Sequence, residues 1–208
     1  LTVTSEEKYG HGGSPDTLAN SYGLKYAPDQ NWSFGASMEK NTVYDTKPDG
    51  SLGLDRTAAT SSLGYISQDL SDALAIEYRQ DKQKSGTQTT WLIRDKLDLH
   101  PEPSWHVLGR VEYDFTDVFG NSLQAANYLE GIFGLAYRPV EDDRLNILAR
   151  YTYLQDLGPL GQIMTNGGTE QPKQISDVVS VDINYDFFDW LTIGAKYALR
   201  EGTVSVAR

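Results

Sequence analysis

Residues 131–154 read GIFGLAYRPVEDDRLNILARYTYL, two alternating arms joined by a proline and an acidic turn. Successive side chains of a strand emerge on opposite faces. In the first arm Phe133, Leu135 and Tyr137 point one way, while Gly134, Ala136 and Arg138 point the other. In the second, Leu145, Ile147, Ala149, Tyr151 and Tyr153 share a face, opposite the mostly polar row Asn146, Leu148, Arg150 and Thr152. One such hairpin also suits a soluble sandwich. Repetition of the unit, the length of its arms and the aromatic residues at its ends decide the fold.

The unit recurs along the chain. About Thr17–Tyr26 and Asn31–Glu39 form a pair around the turn Ala27-Pro28-Asp29-Gln30, with Tyr22, Leu24, Tyr26, Trp32, Phe34, Ala36 and Met38 on one face. About Thr57–Ile66 and Ala73–Arg79 pair around the segment from Ser67 to Asp72, with weaker alternation. Thr87–Leu97 and Ser104–Phe115 pair around His100-Pro101-Glu102-Pro103. Here Trp105, Val107, Gly109, Val111, Tyr113 and Phe115 oppose His106, Leu108, Arg110, Glu112 and Asp114. Asp95 falls on the side of Trp91 and Ile93, which suggests a bulge or a strand end among lipid headgroups. The last pair is about Asp177–Tyr185 and Leu191–Leu199, turning at Phe187-Phe188-Asp189-Trp190. A helical reading fails, because apolar positions recur at period two and Gly and Pro punctuate the chain.

Short turns alternate with the longer polar connections Lys40–Arg56, Gln80–Gly86, Thr116–Ala125 and Gln155–Gln174. In an up-and-down antiparallel barrel that pattern places short turns at one end and long loops at the other. Several arms run to about ten residues, enough to cross a bilayer at a tilt, where strands of soluble proteins run nearer five or six. Tyr26, Trp32, Tyr65, Trp105, Tyr137, Tyr185 and Trp190 flank the short turns. Trp91, Tyr113, Phe115, Tyr151, Tyr153 and Tyr197 lie toward the long loops, so two aromatic girdles are expected.

Composition agrees. The 208 residues are 39% hydrophobic and 23% charged, with 13 Tyr and 4 Trp. A mean hydropathy of -0.47 and the lack of a long apolar run exclude a transmembrane helix, but a barrel strand needs grease only at alternate positions. With no cysteine there is no disulfide framework, thiol catalysis or thiolate metal site. A net charge of -11 argues against a nucleic-acid partner. The sequence opens at Leu1 and ends at Arg208 in an apparent strand, Thr203–Val206, and both ends read as cuts in a longer chain.

Nearly the whole chain resembles Gram-negative outer-membrane β-barrels, porin-like or translocator-like. GLAYRP at Gly134–Pro139 and LKYAPDQNWSF at Leu24–Phe34 also look like phrases of the C-terminal barrels of large exported surface proteins. The resemblance implies an outer-membrane location, contact with lipid and lipopolysaccharide, and further domains of the same chain as candidate partners. Such barrels commonly finish on a terminal aromatic, and this sequence ends in Ala207-Arg208.

The expected fold is therefore all-β: one antiparallel up-and-down transmembrane barrel, or a segment of one, spanning residues 1–208. About ten complete strands are visible, with partial ones at Leu1–Lys8 and Thr203–Val206, for twelve or more in total. The lumen-facing candidates are Arg94, His106, Arg110, Glu112, Asp114, Glu130, Arg138, Arg150, Asp182, Lys196 and Arg200, with Lys25, Glu39, Glu77, Arg79 and Lys96 on the same side. Interleaved charges suit either a filtering pore wall or a salt-bridged one. The lipid-facing girdle candidates are Trp32, Trp105, Tyr113, Tyr137, Tyr151, Tyr153, Tyr185 and Trp190.

Catalysis is not expected. Residues i and i+2 on one strand stand about 6.6–7 Å apart, too far for a His106–carboxylate relay unless the adjacent strand supplies the partner. His11 and His100 fall in loop or turn contexts, and no Gly-x-Ser-x-Gly, P-loop or His-Glu-x-x-His motif is present. Asp49, Ser51 and Asp55 with Gly50 and Gly53 depart from a calcium-loop order, so no cofactor or metal is implied. Gly167-Gly168 read as part of a flexible loop. The expected function is a pore or membrane anchor. The alternatives are the translocator barrel of an adhesive surface protein and a soluble carbohydrate-binding β-protein.

Overall fold

The computed structural model describes residues 1–10, 16–44, 52–83, 86–119, 127–157, 164–165, 168–169 and 171–207. Their regular structure is all strand: β1 (Thr2–Gly10), β2 (Thr17–Tyr26), β3 (Trp32–Tyr44), β4 (Leu52–Ile66), β5 (Leu70–Gln83), β6 (Gly86–Glu102), β7 (Trp105–Phe119), β8 (Asn127–Tyr137), β9 (Leu145–Leu157), β10 (Met164–Thr165), β11 (Gly168–Thr169), β12 (Gln171–Phe188) and β13 (Leu191–Ala207). Eleven of them form one antiparallel sheet in the order β1 to β9, then β12 and β13. The short β10 and β11 pair with each other in the connection between β9 and β12. Among the described residues β1 pairs only with β2, and β13 only with β12.

The meander follows from its turns. Asp29 accepts the backbone N–H groups of Asn31 and Trp32 at 2.8 Å each, an Asx turn that reverses the chain between β2 and β3. The Ser67 N–H donates to the Leu70 carbonyl at 2.7 Å and closes β4 onto β5. These reversals are tighter than the alternation suggests. Pairing reaches Ile66↔Ser71 and Glu102↔Trp105, so the His100–Pro103 segment contributes most of its residues to β6. Likewise β12 runs through Phe187 and Phe188, leaving Asp189 and Trp190 as the turn.

Strands also extend into segments that read as loops. Gln80 to Gln83 belong to β5 and pair with the start of β6 down to Gln83↔Gly86, where Gly86 takes a φ of 146° that suits glycine. These residues are polar on both faces, which hides the alternation, but ladder hydrogen bonds do not need apolar side chains. Thr203–Val206 continues β13 without a break, and Leu1–Lys8 belongs largely to the nine-residue β1. Asp95 is paired in register with Leu74 and Val111, so the ladder has no bulge there. The irregularity lies further on, between Leu99 and Glu102.

Cross-strand pairing keeps one parity across the whole sheet. Tyr22, Met38, Ala59, Tyr78, Trp91, Phe115 and their alternates share one face through the ladders from β2 to β7. Phe133, Tyr151, Val179 and Leu199 continue that face through β8, β9, β12 and β13. The other face carries the charged rows. Burial divides the same way: among the described residues Ala58, Asp81, Thr90, Leu92, Thr116, Ser176 and Ser180 are the buried side chains, and all seven lie on the charged face. Large apolar side chains of the opposite face are open, with Trp91 46%, Phe133 53% and Tyr197 69% exposed. A single-layer sheet shields one face only by curling toward it, so this sheet curls around its polar face.

Candidate functional site: the polar face of the sheet

The polar face of β4 to β8 carries a connected set of ion pairs. The Arg56 Nε and Nη2 donate to the two Asp81 carboxylate oxygens at 2.8 and 3.0 Å, a bidentate pair in which Asp81 is only 6% exposed. Arg56 lies beyond the aromatic row of Tyr78 and Trp91, toward the long connections. Its hydrogen bond to Asp81 holds the guanidinium above its usual pKa. Further along, Arg110 Nη2 donates to Glu112 at 2.8 Å and lies 3.9 Å from Glu130, while Arg94 Nε is 3.8 Å from Glu112. The ladders set Glu112 opposite Glu130 and Lys96 opposite Arg110, like charge against like, while Arg94 stands opposite Glu112 and Arg110 reaches Glu112 along β7 and Glu130 on the diagonal.

On β12 and β13, Lys196 is 3.6 Å from Asp182, and Arg200 Nε donates to the Ser176 hydroxyl at 3.0 Å. Asp114 accepts a hydrogen bond from Thr116 at 3.1 Å. Arg150 faces the same side, opposite Gly134 and Ser180, with an exposed guanidinium. The β2 to β5 part is different. Gly23, Gly35, Ser62, Gly64, Ala73 and Ala75 border a cleft of about 560 Å³ with Lys25 on its rim. An added Cβ at Gly35 would clash with the Ser62 hydroxyl, so small residues here fit close neighbours as well as clearing space.

Ten of the lumen candidates thus share one face: Arg94, His106, Arg110, Glu112, Asp114, Glu130, Arg150, Asp182, Lys196 and Arg200. Arg138 stands at the edge of this group and borders the same cleft as His106 and Asp182. It lies past the end of β8, where its N–H donates to the Ser104 carbonyl at 2.9 Å and its guanidinium stands 3.5 Å from Asp143.

The girdle candidates Trp32, Trp105, Tyr113, Tyr137, Tyr151, Tyr153 and Tyr185 lie on the apolar face. Trp32 packs on Tyr65 at 4.6 Å between ring centroids and Trp105 on Tyr137 at 4.5 Å, near the short turns. Near the other end Tyr78 meets Trp91 at 4.9 Å between ring centroids. The Tyr151 hydroxyl donates to Asp177 at 2.6 Å and that of Tyr153 to Gln155 at 3.2 Å, which gives apolar rings polar tips. Trp190 is in the β12–β13 turn, 78% exposed and stacked on Phe188, so it extends below the row instead of forming part of it.

At the short-turn end, Asp98 of β6 hydrogen-bonds His106 of β7, and His100 Nδ1 lies 3.7 Å from the same Asp98 oxygen. The two imidazole rings stack at 3.9 Å. The adjacent strand therefore supplies the carboxylate that spacing along β7 could not. The group opens on a cleft of about 670 Å³ bordered also by Arg138, Asp143, Asp182 and Asn184. Asp55, from the calcium-like pattern, pairs with Lys40 at 2.9 Å. Asp49, Gly50, Ser51, His11 and Gly167 lie outside the described residues, and Gly168 begins β11.

Wall strands of nine to eighteen residues in an up-and-down meander, with an open apolar face edged by aromatics and a shielded charged face, define a transmembrane β-barrel wall. No family model and no curated protein matches the sequence. Among solved structures it is similar to a loop L8 deletion mutant of OmpT, an outer membrane protein of Vibrio cholerae, at 11% identity and TM-score 0.45, covering 97% of this chain and 91% of that one. In-vitro folded OmpT from the same organism, in trimer form, gives 10% identity and TM-score 0.45 over 96% and 86%. The NanC porin gives 12% identity and TM-score 0.30 over 99% and 98%. At such identities and TM-scores the class rests on the wall's own geometry.

Proposed function

We propose that this chain forms the wall of a Gram-negative outer-membrane β-barrel and that its polar face lines a pore. The apolar face meets lipid and lipopolysaccharide between the two aromatic rows, and the lumen carries the ten charged and polar side chains from Arg94 to Arg200 named above. One observation carries the reading: among the described residues all seven buried side chains lie on the charged face, while tryptophan, tyrosine and phenylalanine stand open on the other. A water-soluble sheet gains its stability by the opposite arrangement. Opposed charges on the inward face and small residues beside Lys25 suit a water-filled passage that discriminates solutes by sign.

The test is single-channel conductance of the complete protein in planar bilayers. Stepwise ion current is the expected result, with Arg150→Glu shifting the reversal potential toward cations in a salt gradient. A folded, detergent-requiring barrel that carries no current would replace the pore with an anchor. Extraction in buffer without detergent would remove the membrane reading as well.

A further inference from the structure

Two of the three histidines of this chain converge on one carboxylate oxygen. The cause is local. Between Leu99 and Glu102 the β6–β7 register shifts, and Pro101 and Pro103 lie on either side of Glu102 next to that irregularity. The His100 N–H is tied to the Asp69 carbonyl at 2.7 Å, which fixes the strand end against the neighbouring turn. His100 thus comes beside His106 in space, although six residues separate them in sequence.

We infer that Asp98, His100 and His106 form a binding site for a divalent transition-metal ion of the zinc type at the short-turn end of the sheet. One ligand atom from each residue lies within 4.8 Å of the other two. A tetrahedral ion with bonds of about 2.0–2.2 Å holds its ligand atoms about 3.3 Å apart, so small side-chain rotations suffice to bind one. The donor chemistry selects the metal class. Imidazole nitrogen favours zinc, copper and nickel, whereas magnesium and calcium sites are built from oxygen.

A simple hydrogen bond does not account for the arrangement. Asp98 bonded to His106 alone would satisfy one nitrogen of that ring, but His100 Nδ1 also lies 3.7 Å from the same oxygen and its ring stacks on the first. All three side chains are partly exposed, which leaves room for water at the remaining coordination position. The cleft beside them lets an ion enter. The site lies on the short-turn edge and does not depend on the pore reading.

The full-length protein, refolded in detergent, is titrated with zinc against a chromophoric chelator and, separately, with cobalt while visible absorption is recorded. One ion per chain is expected. His100→Ala, His106→Ala and Asp98→Asn should each weaken zinc binding about tenfold or more, while His11→Ala leaves it unchanged. Far-ultraviolet circular dichroism confirms that each variant is folded. A second measurement needs no variant: zinc should slow ethoxyformylation of His100 and His106 and leave His11 reactive. Lack of zinc binding, equal losses in His11→Ala and His106→Ala, or unchanged modification rates would overturn the site.

Discussion

Glu112 and Glu130 stand directly opposite each other on β7 and β8, and the guanidinium of Arg110 lies beside both, 2.8 Å from the first and 3.9 Å from the second. Like charges facing across a ladder repel, and Arg110, together with Arg94 opposite Glu112, makes the pair tolerable. Arg110→Ala should therefore cost about 0.5–1 kcal/mol, a modest amount because the guanidinium is half exposed and water screens it. Urea unfolding in detergent at low and high salt checks this, with the deficit shrinking as salt rises. An equal deficit at both salt levels would mean that charge is not the cause.

Arg56 and Asp81 form a bidentate ion pair on the polar face, its carboxylate nearly buried. Removing the arginine leaves a buried carboxylate without its bidentate partner, at a cost of about 1–3 kcal/mol. Arg56→Lys should recover only part of this, since an ammonium cannot reproduce the fork. Unfolding midpoints of the two variants decide the point. A lysine variant as stable as the parent would show that charge alone matters here.

Substitution to arginine separates the two faces. Phe133→Arg puts a cation in the middle of the apolar face and should cost about 2–4 kcal/mol, visible as failure to fold into lipid vesicles. Leu148→Arg adds the same group on the polar face opposite Asp182, where it should be accepted. Comparable folding yields for both would contradict the assignment of faces.

The tryptophans test the aromatic rows. In single-tryptophan variants reconstituted in vesicles, Trp32, Trp91 and Trp105 should be quenched most by lipids brominated near the headgroup. Trp190, in its turn, should remain largely accessible to aqueous quenchers. Quenching of Trp32 or Trp91 strongest by bromines at the chain ends would displace its row from the interface.

How far these features could be read from the residue order depended on where burial demands are one-sided. Trp105 to Phe115 alternates cleanly because one side of β7 is apolar along its length, and its faces were legible without coordinates. Gln80 to Gln83 lie beyond the aromatic row, polar on both sides, and their strand character comes from backbone pairing that leaves no mark on residue type. The ten polar-face residues were legible by parity alone, and Arg138, one residue past the last rung of β8, borders the cleft beside them. The grouping of Asp98, His100 and His106 depends on the register shift near Pro101. A pattern such as Asp-x-His followed by a second His across a Pro-rich turn signals nearness but cannot specify how a ladder slips.

Among the described residues the sheet has three register shifts, at Val43/Tyr44, Leu99/Glu102 and Asp186/Phe188, and all lie near strand ends. Between them every strand counts in twos without a skipped beat, so the wall has a phase, much as a coding sequence has a frame. Adding one residue at mid-strand would invert every side chain up to the next connection and turn charges into the bilayer. Adding two would keep the phase and move only the hairpin. Length variation among related walls should accordingly be even-numbered within strands and unrestricted in the long connections, a rule about arithmetic instead of residue type.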